Sequence, residues 1–207
     1  MKKRILPIPL ILLIPIVLLV VVIVAGVYRF SLTDEEILAK FPSAQQQIDP
    51  VALAVFNVKA TNPWTVKVPE THAFAFIDEY DAQLENASGR YDSGAERGVV
   101  TVDTAILMNQ ELDGQRFFFA PMTVSNQGSG VFHFLAQFKF DAARSRVILV
   151  DSLFLGDRVQ ITGLNFESDN TGVVSFLQHA EGQAMAESPA QKTTKEFEFN
   201  TQLIVER

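Results

Sequence analysis

No cysteine occurs among the 207 residues. This excludes disulfides, thiolate metal sites, a cysteine nucleophile and the acylated cysteine of a bacterial lipoprotein anchor. A domain of this composition must be held together by core packing. Histidine is scarce. His72, His133 and His179 lie in separate segments, so no spacing defines a metal site. Tryptophan occurs once, at Trp64, straight after the turn signal Asn62-Pro63, and is expected to pack beneath a loop. The sequence contains no Walker loop, dinucleotide fingerprint, zinc motif or Gly-x-Ser-x-Gly elbow. Ser188 and Lys192 are four apart and miss the Ser-x-x-Lys spacing. No loop alternates Asp ligands around a central glycine as a calcium loop does. The expectation is therefore no catalytic motif, no cofactor and no metal.

Basic residues are also in short supply, 17 against 24 acidic, for a net charge of -7. Three of the bases are Lys2, Lys3 and Arg4. Residues 5–207 thus carry 14 against 24, or -10. An acidic body argues against nucleic acid and anionic lipid headgroups as main ligands.

What the chain has in quantity is apolar sequence. Ile5 to Tyr28 carries no charge and exceeds the roughly 20 apolar residues that cross a bilayer. Pro7, Pro9 and Pro15 interrupt its start, so a continuous helix is expected from about Leu10 to about Gly26. The basic tip predicts a cytoplasmic N-terminus, with residues 30–207 outside and a single pass through the cytoplasmic (inner) membrane. The alternative is a cleavable signal peptide, for which Val24-Ala25-Gly26 is a candidate site but the apolar run is too long.

After this anchor (1–30), residues 31–98 read as a helix- and loop-rich leading segment. Thr33-Asp34-Glu35-Glu36 has the pattern of a capping box, opening a short helix that Pro42 ends. Asp49-Pro50 opens a helix or a strand running to Val58. Phe74, Ile77, Tyr80 and Leu84 recur at three- and four-residue intervals and predict a helix over 70–85, although Ala73 to Phe76 also fits a strand. Asp78, Glu79, Asp81 and Glu85 would form its solvated side.

Residues 99–207 read as about seven short strands. Val100, Val102, Ile106 and Met108 share a face. Leu112-Asp113-Gly114-Gln115 signals a hairpin. Pro121 has no N–H, so its strand is expected at an edge or bulged there. Past the turn at Gly128-Ser129-Gly130, Phe132, Phe134, Ala136, Phe138 and Phe140 alternate onto one face, which must be core. Val131, His133, Leu135, Gln137 and Lys139 form a mixed face, expected to be partly exposed. Val147 to Leu155 is apolar with no strict period, as in a strand covered on both faces. Gly156 is expected as a turn hinge and Gly163 as a bulge, where the apolar parity switches. Phe197 to Val205 alternates as one last strand. These elements define a mainly β (α+β) protein. Its expected form is an antiparallel sandwich or barrel-like sheet with one or two short helices ahead of it.

The stretch Gly128-Ser129-Gly130-Val131-Phe132, together with Ser152-Leu153-Phe154-Leu155-Gly156-Asp157-Arg158-Val159, resembles a family of uncharacterised bacterial exported proteins. A later loop in that family reads proline-methionine and then proline. Here Ala184-Met185 and Pro189 stand in its place, so the first proline is missing. A basic-aromatic strand follows, as in Lys195 to Phe199. The resemblance covers about a third of the chain. It implies an envelope location and a β module, and it brings no activity.

Arg158, His133 and Lys139 are the candidate ligand- or partner-binding residues. Arg158 offers a guanidinium to an anionic group. Its structural alternative is a turn in which Asp157 bonds backbone and Arg158 pairs a carboxylate such as Asp151. His133, Gln137 and Lys139 share the mixed face. The sequence therefore suggests a membrane-tethered, non-catalytic envelope domain that binds another envelope protein or itself. The alternative is a cell-wall hydrolase using paired carboxylates such as Asp78, Asp103 or Asp157.

Overall fold

The computed structural model describes residues 10–31 and 48–207, with side chains in the first segment described for 13–27. Met1–Gln47 and Ile48–Arg207 are separate compact units. In the first, helix α1 spans Leu10–Ser31. Its large apolar side chains from Ile14 to Val24, and Val27, are exposed. Among the described residues no helix is long and apolar enough to cross a membrane. The expected short helix after Thr33 lies outside the described residues.

The second unit begins with a capped helix. Asp49 Oδ1 accepts from the N–H groups of Val51 (2.9 Å) and Ala52 (3.2 Å), opening α2 (Pro50–Phe56). Proline at the first position costs no bond there. Asn57 ends the helix in the left-handed conformation. The other Asp49 oxygen accepts from Trp64 N–H at 2.7 Å, so one carboxylate ties the helix to the first strand.

Strands β1 (Trp64–Lys67), β2 (Phe74–Ile77), β3 (Glu79–Asp81), β4 (Asn86–Asp92), β5 (Arg97–Asp103), β6 (Met108–Leu112), β7 (Gln115–Asn126), β8 (Val131–Asp141) and β9 (Arg146–Asp157) form one sheet. Its order is β2-β1-β9-β8-β7-β5-β4-β3, with β6 beside β7. The pairings are antiparallel except β1 with β9. β2 and β3 are two halves of one interrupted strand. The first half pairs β1 and the second pairs β4, so this strand draws the two ends of the sheet together into a nearly closed barrel. At the join, Asp78 N–H donates to the Ser88 carbonyl (3.1 Å). Gly89 lies so close to Phe76 that a Cβ there would sit 2.1 Å from the Phe76 carbonyl oxygen. Only glycine permits that approach.

The barrel interior holds one apolar cluster. It includes Trp64, Val66, Ala75, Ile77, Val100, Val102, Phe118, Met122, Phe134, Ala136 and Phe138, with Phe56 of α2. A second cluster lies on the outer side of β7–β9. There, β10 (Gln160–Phe166), β11 (Thr171–Gln178), β12 (Gln191–Phe199) and β13 (Ile204–Glu206) form an antiparallel sheet in that order. Its Val174, Phe176, Phe197, Phe199 and Ile204 meet Phe117, Phe119 and Leu135 of the barrel.

The mainly β, barrel-like reading therefore holds, and so does the aromatic face of β8. Asp113 and Gly114 take positive φ (52° and 71°) in the expected hairpin. The register of β10 against β11 shifts between Ile161 and Gly163, which is the expected bulge.

Other expectations are corrected. Residues 70–85 are not a helix. They form β2, β3 and a turn, because β1 and β4 supply pairing that a solitary helix would lack. Ala75 and Ile77 point inward, while Phe74 and Phe76 are exposed. The chain turns between β5 and β6, so Val100 and Val102 enter the barrel while Ile106 and Met108 join the outer cluster. Pro121 stands neither at an edge nor in a bulge. On one side it faces Leu135 of β8; on the other, the pairing with β6 ends at Phe119 and that with β5 begins at Met122. Its missing N–H falls in the gap between two partners. The mixed face of β8 is partly exposed as expected, at Val131, His133 and Lys139, while the second sheet leaves Leu135 and Gln137 fully buried. The last strand breaks at Asn200, whose Oδ1 accepts from Gln202 and Leu203 N–H (2.8 and 3.0 Å) in the turn between β12 and β13.

Candidate functional site

The two barrel ends differ in how they are filled. At one end α2 acts as a plug. Phe56 meets Trp64 edge-on (ring centroids 4.6 Å) and Phe118 at 4.8 Å, and Trp64 meets Phe138 at 5.3 Å. Among the described residues no helix covers the other end, and its opening follows from unequal strand lengths. β1 stops at Lys67, and the chain turns back through Pro69 and Glu70, which takes φ 59°. Val68 N–H donates to the Ala73 carbonyl (3.0 Å) across this turn. β9, by contrast, continues to Asp157. The register of β1 with β9 is the single pair Thr65 with Ile148. Beyond it the two strands part, and a cleft of about 510 Å³ opens between them.

Phe134, Leu149 and Phe154 give this cleft an apolar floor, and Lys67, Glu70, His72 and Asp151 stand among its polar lining. The Phe134 and Phe154 rings are 5.4 Å apart. Phe154 is 46% exposed. Two bulges in β9 produce this. Its register against β8 shifts between the partners of His133 and Phe134, and again between those of Gln137 and Phe138. Each shift reverses the side-chain parity. Leu153 and Leu155 therefore face the outer cluster while Phe154 turns to the cleft. One rim carboxylate is held from the other sheet, since Asp151 Oδ2 accepts from Ile204 N–H at 3.0 Å. The arrangement is an apolar cradle with charges of both signs, suited to binding an amphipathic group.

The residues singled out from the sequence lie elsewhere. Arg158 takes φ 51°, so the left-handed turn residue is the arginine, while Gly156, at φ 150°, lies within β9. Arg158 N–H donates to the Val131 carbonyl (2.8 Å). Its guanidinium donates to the Ser129 carbonyl and to the Met185 carbonyl (3.0 Å). Asp157 Oδ1 accepts from Val131 N–H at 2.7 Å. Arg158 thus ties the glycine turn to the 180–190 loop. Its partners are carbonyls rather than the suggested Asp151.

His133 is half-buried, with Nδ1 3.4 Å from Thr123 Oγ1. Burial lowers its pKa, and the neighbouring Asp157 charge partly opposes this. Lys139 pairs with Phe117 and Ile148 at the far end of β8. Six residues of strand separate it from His133, about 20 Å. Gln137 Nε2 donates to the Asn200 carbonyl (2.7 Å), and its Oε1 has no protein partner. The three candidates do not converge.

Nor do the acids named for hydrolysis. Asp78 is exposed between β2 and β3, Asp103 Oδ1 accepts from Ala105 N–H (2.9 Å) and Asp157 is engaged in its turn. The carboxylates lining the cleft are Glu70 and Asp151. Sequence reasoning missed Phe154, His72 and Lys67. A broken parity in 147–155 was the available signal, and it was read as burial on both faces.

Together the fold and the cleft define a class, a plugged and nearly closed barrel backed by a second sheet and open at one end. Comparison of the chain with protein-family models, curated proteins and solved structures gives no match.

Proposed function

We propose that this chain is a membrane-anchored binding domain held outside the cytoplasm, with the open barrel end as its working surface. The observation that carries the reading is the cleft, which presents Phe154 to solvent above a floor of apolar side chains. An aromatic ring left uncovered beside charged groups of both signs is a common feature of recognition surfaces. The anchor rests on the uncharged run Ile5 to Tyr28 and the basic tip before it. The exposed apolar side chains of α1 agree with a lipid surround. The resemblance to exported bacterial proteins points the same way, to a partner in the envelope or a second copy of the chain.

Two measurements test this. A phosphatase fused after Arg207 should be active, and an inactive phosphatase with a fluorescent cytoplasmic fusion overturns the topology. A photo-crosslinking side chain at His72, on the cleft, should trap one discrete product in intact cells. The same group at Asp113, in the β6–β7 hairpin, should not trap it. Identical patterns from both sites overturn the cleft as the binding surface.

A further inference from the structure

The open end of the barrel is a gap in a sheet as well as a cavity. β9 is bonded along one edge to β8, from Asp157 to Arg146. Along its other edge β1 meets it only at Ile148. Between Val150 and Leu155, among the described hydrogen bonds, the one partner of a β9 main-chain group outside β8 is Lys195 Nζ, 3.4 Å from the Phe154 carbonyl. Lys195 is itself paired with Glu206 (2.7 Å). Edge backbone of this kind is a template for another strand unless a charge or a bulge blunts it. Here the β9 bulges at Val150 and Leu155 bound the stretch and Lys195 guards its far end, so the regular edge that borders the cleft is Asp151 to Phe154.

We propose that this edge takes an extended peptide segment of a partner protein as an added strand along β9. The inference rests on the open end being the binding surface and names what binds there. Main-chain groups of the incoming strand would meet those of β9 on its free edge, and alternate side chains would drop onto Phe134 and Phe154. The regular stretch from Asp151 to Phe154 offers about 10 Å, room for a strand of about three or four residues. An apolar or aromatic side chain fits the floor. The rim sets Lys67 against Glu70, so a peptide with one charge of each sign is accommodated. A compact small molecule would use the floor but leave the strand edge unpaired.

The test is selection of a random heptapeptide phage library on the detergent-solubilised full chain. Selected peptides are then synthesised with and without N-methyl groups on alternate backbone nitrogens. Binding of the unmodified peptide should slow amide hydrogen exchange in 150–155. N-methylation should weaken binding at least tenfold, because side chains are kept while strand pairing is lost. Phe154→Asp should weaken it at least tenfold with an unchanged thermal unfolding midpoint. Failure to select any peptide, protection mapping to β10 or β13, or equal binding of the N-methylated form overturns strand addition. If the His72 crosslink still traps its product in that case, binding at the open end stands and only the strand mode falls. If both fail, both readings fall.

Discussion

At the plugged end of the barrel, Phe56, Trp64 and Phe138 bury their rings against one another, and Trp64 has no exposed surface. At the open end, Phe134 and Phe154 also pair their rings, yet Phe154 is 46% exposed. Both ends use aromatic pairs, and one short helix makes the difference. The seven residues of α2, fixed by Asp49, close one mouth. At the other, β1 ends early, and no described strand takes its place beside β9. Similar aromatic content therefore stabilises the fold at one end and stays partly exposed at the other.

The comparison is broken most strongly by truncating each aromatic in turn. Trp64→Ala should cost about 3–5 kcal/mol, the range for large-to-small changes in a packed core. Phe154→Ala should cost under about 1 kcal/mol, since its ring is half outside. Urea unfolding of the two variants measures both, and near-equal losses would remove the distinction between the ends. Gly89→Ala comes next. A methyl group there collides with the Phe76 carbonyl and forces β2 from β4, at about 1–3 kcal/mol or more. Faster amide exchange in β2–β4 should accompany it.

Asp49→Ala removes acceptors from Val51, Ala52 and Trp64 N–H. A loss of about 1–2 kcal/mol is expected, in the upper range of a helix cap. If the plug matters only at its own end, peptide binding at the cleft should be unaffected. The smallest effect concerns pH. His133 has its pKa lowered by burial, so the unfolded chain binds the proton more readily than the folded one. Stability is then fully present above the ordinary imidazole value of about 6.5 and falls as pH drops from there towards the lower folded value. His133→Asn should flatten that slope. An NMR titration placing His133 at or above the ordinary value contradicts it.

The legible parts of the fold were those encoded by local chemistry. The aromatic parity of β8, the Asp113-Gly114 hairpin and the Gly163 bulge follow from pleat period and backbone freedom, which neighbouring residues set. Pro121 could be read only halfway, since a missing N–H says that no donor is used but not that two strands share that flank. The interval Phe74, Ile77, Tyr80, Leu84 suggested a helix because three- and four-residue spacings also arise by chance in a strand broken at Asp78. Pairing with β1 and β4 then decided the matter. Arg158 attracted notice as a guanidinium offered to an anionic group, but its partners are carbonyls 27 and 29 residues away. The cleft was the least legible part, because its walls come from β1, the turn after it and β9, brought together only by barrel closure.

By itself, the sequence determined an apolar N-terminal run, an acidic body without thiols and a β-rich chain whose aromatic strand must be core. These follow from composition and from the two-residue period of a strand, which need no knowledge of neighbours. The tertiary structure alone decided which face of β8 the second sheet would cover, where Pro121 could be tolerated and which barrel end would stay open. Those depend on strand order and on the unequal lengths of β1 and β9. Both are properties of pairing between residues some 80 positions apart, which no local pattern records.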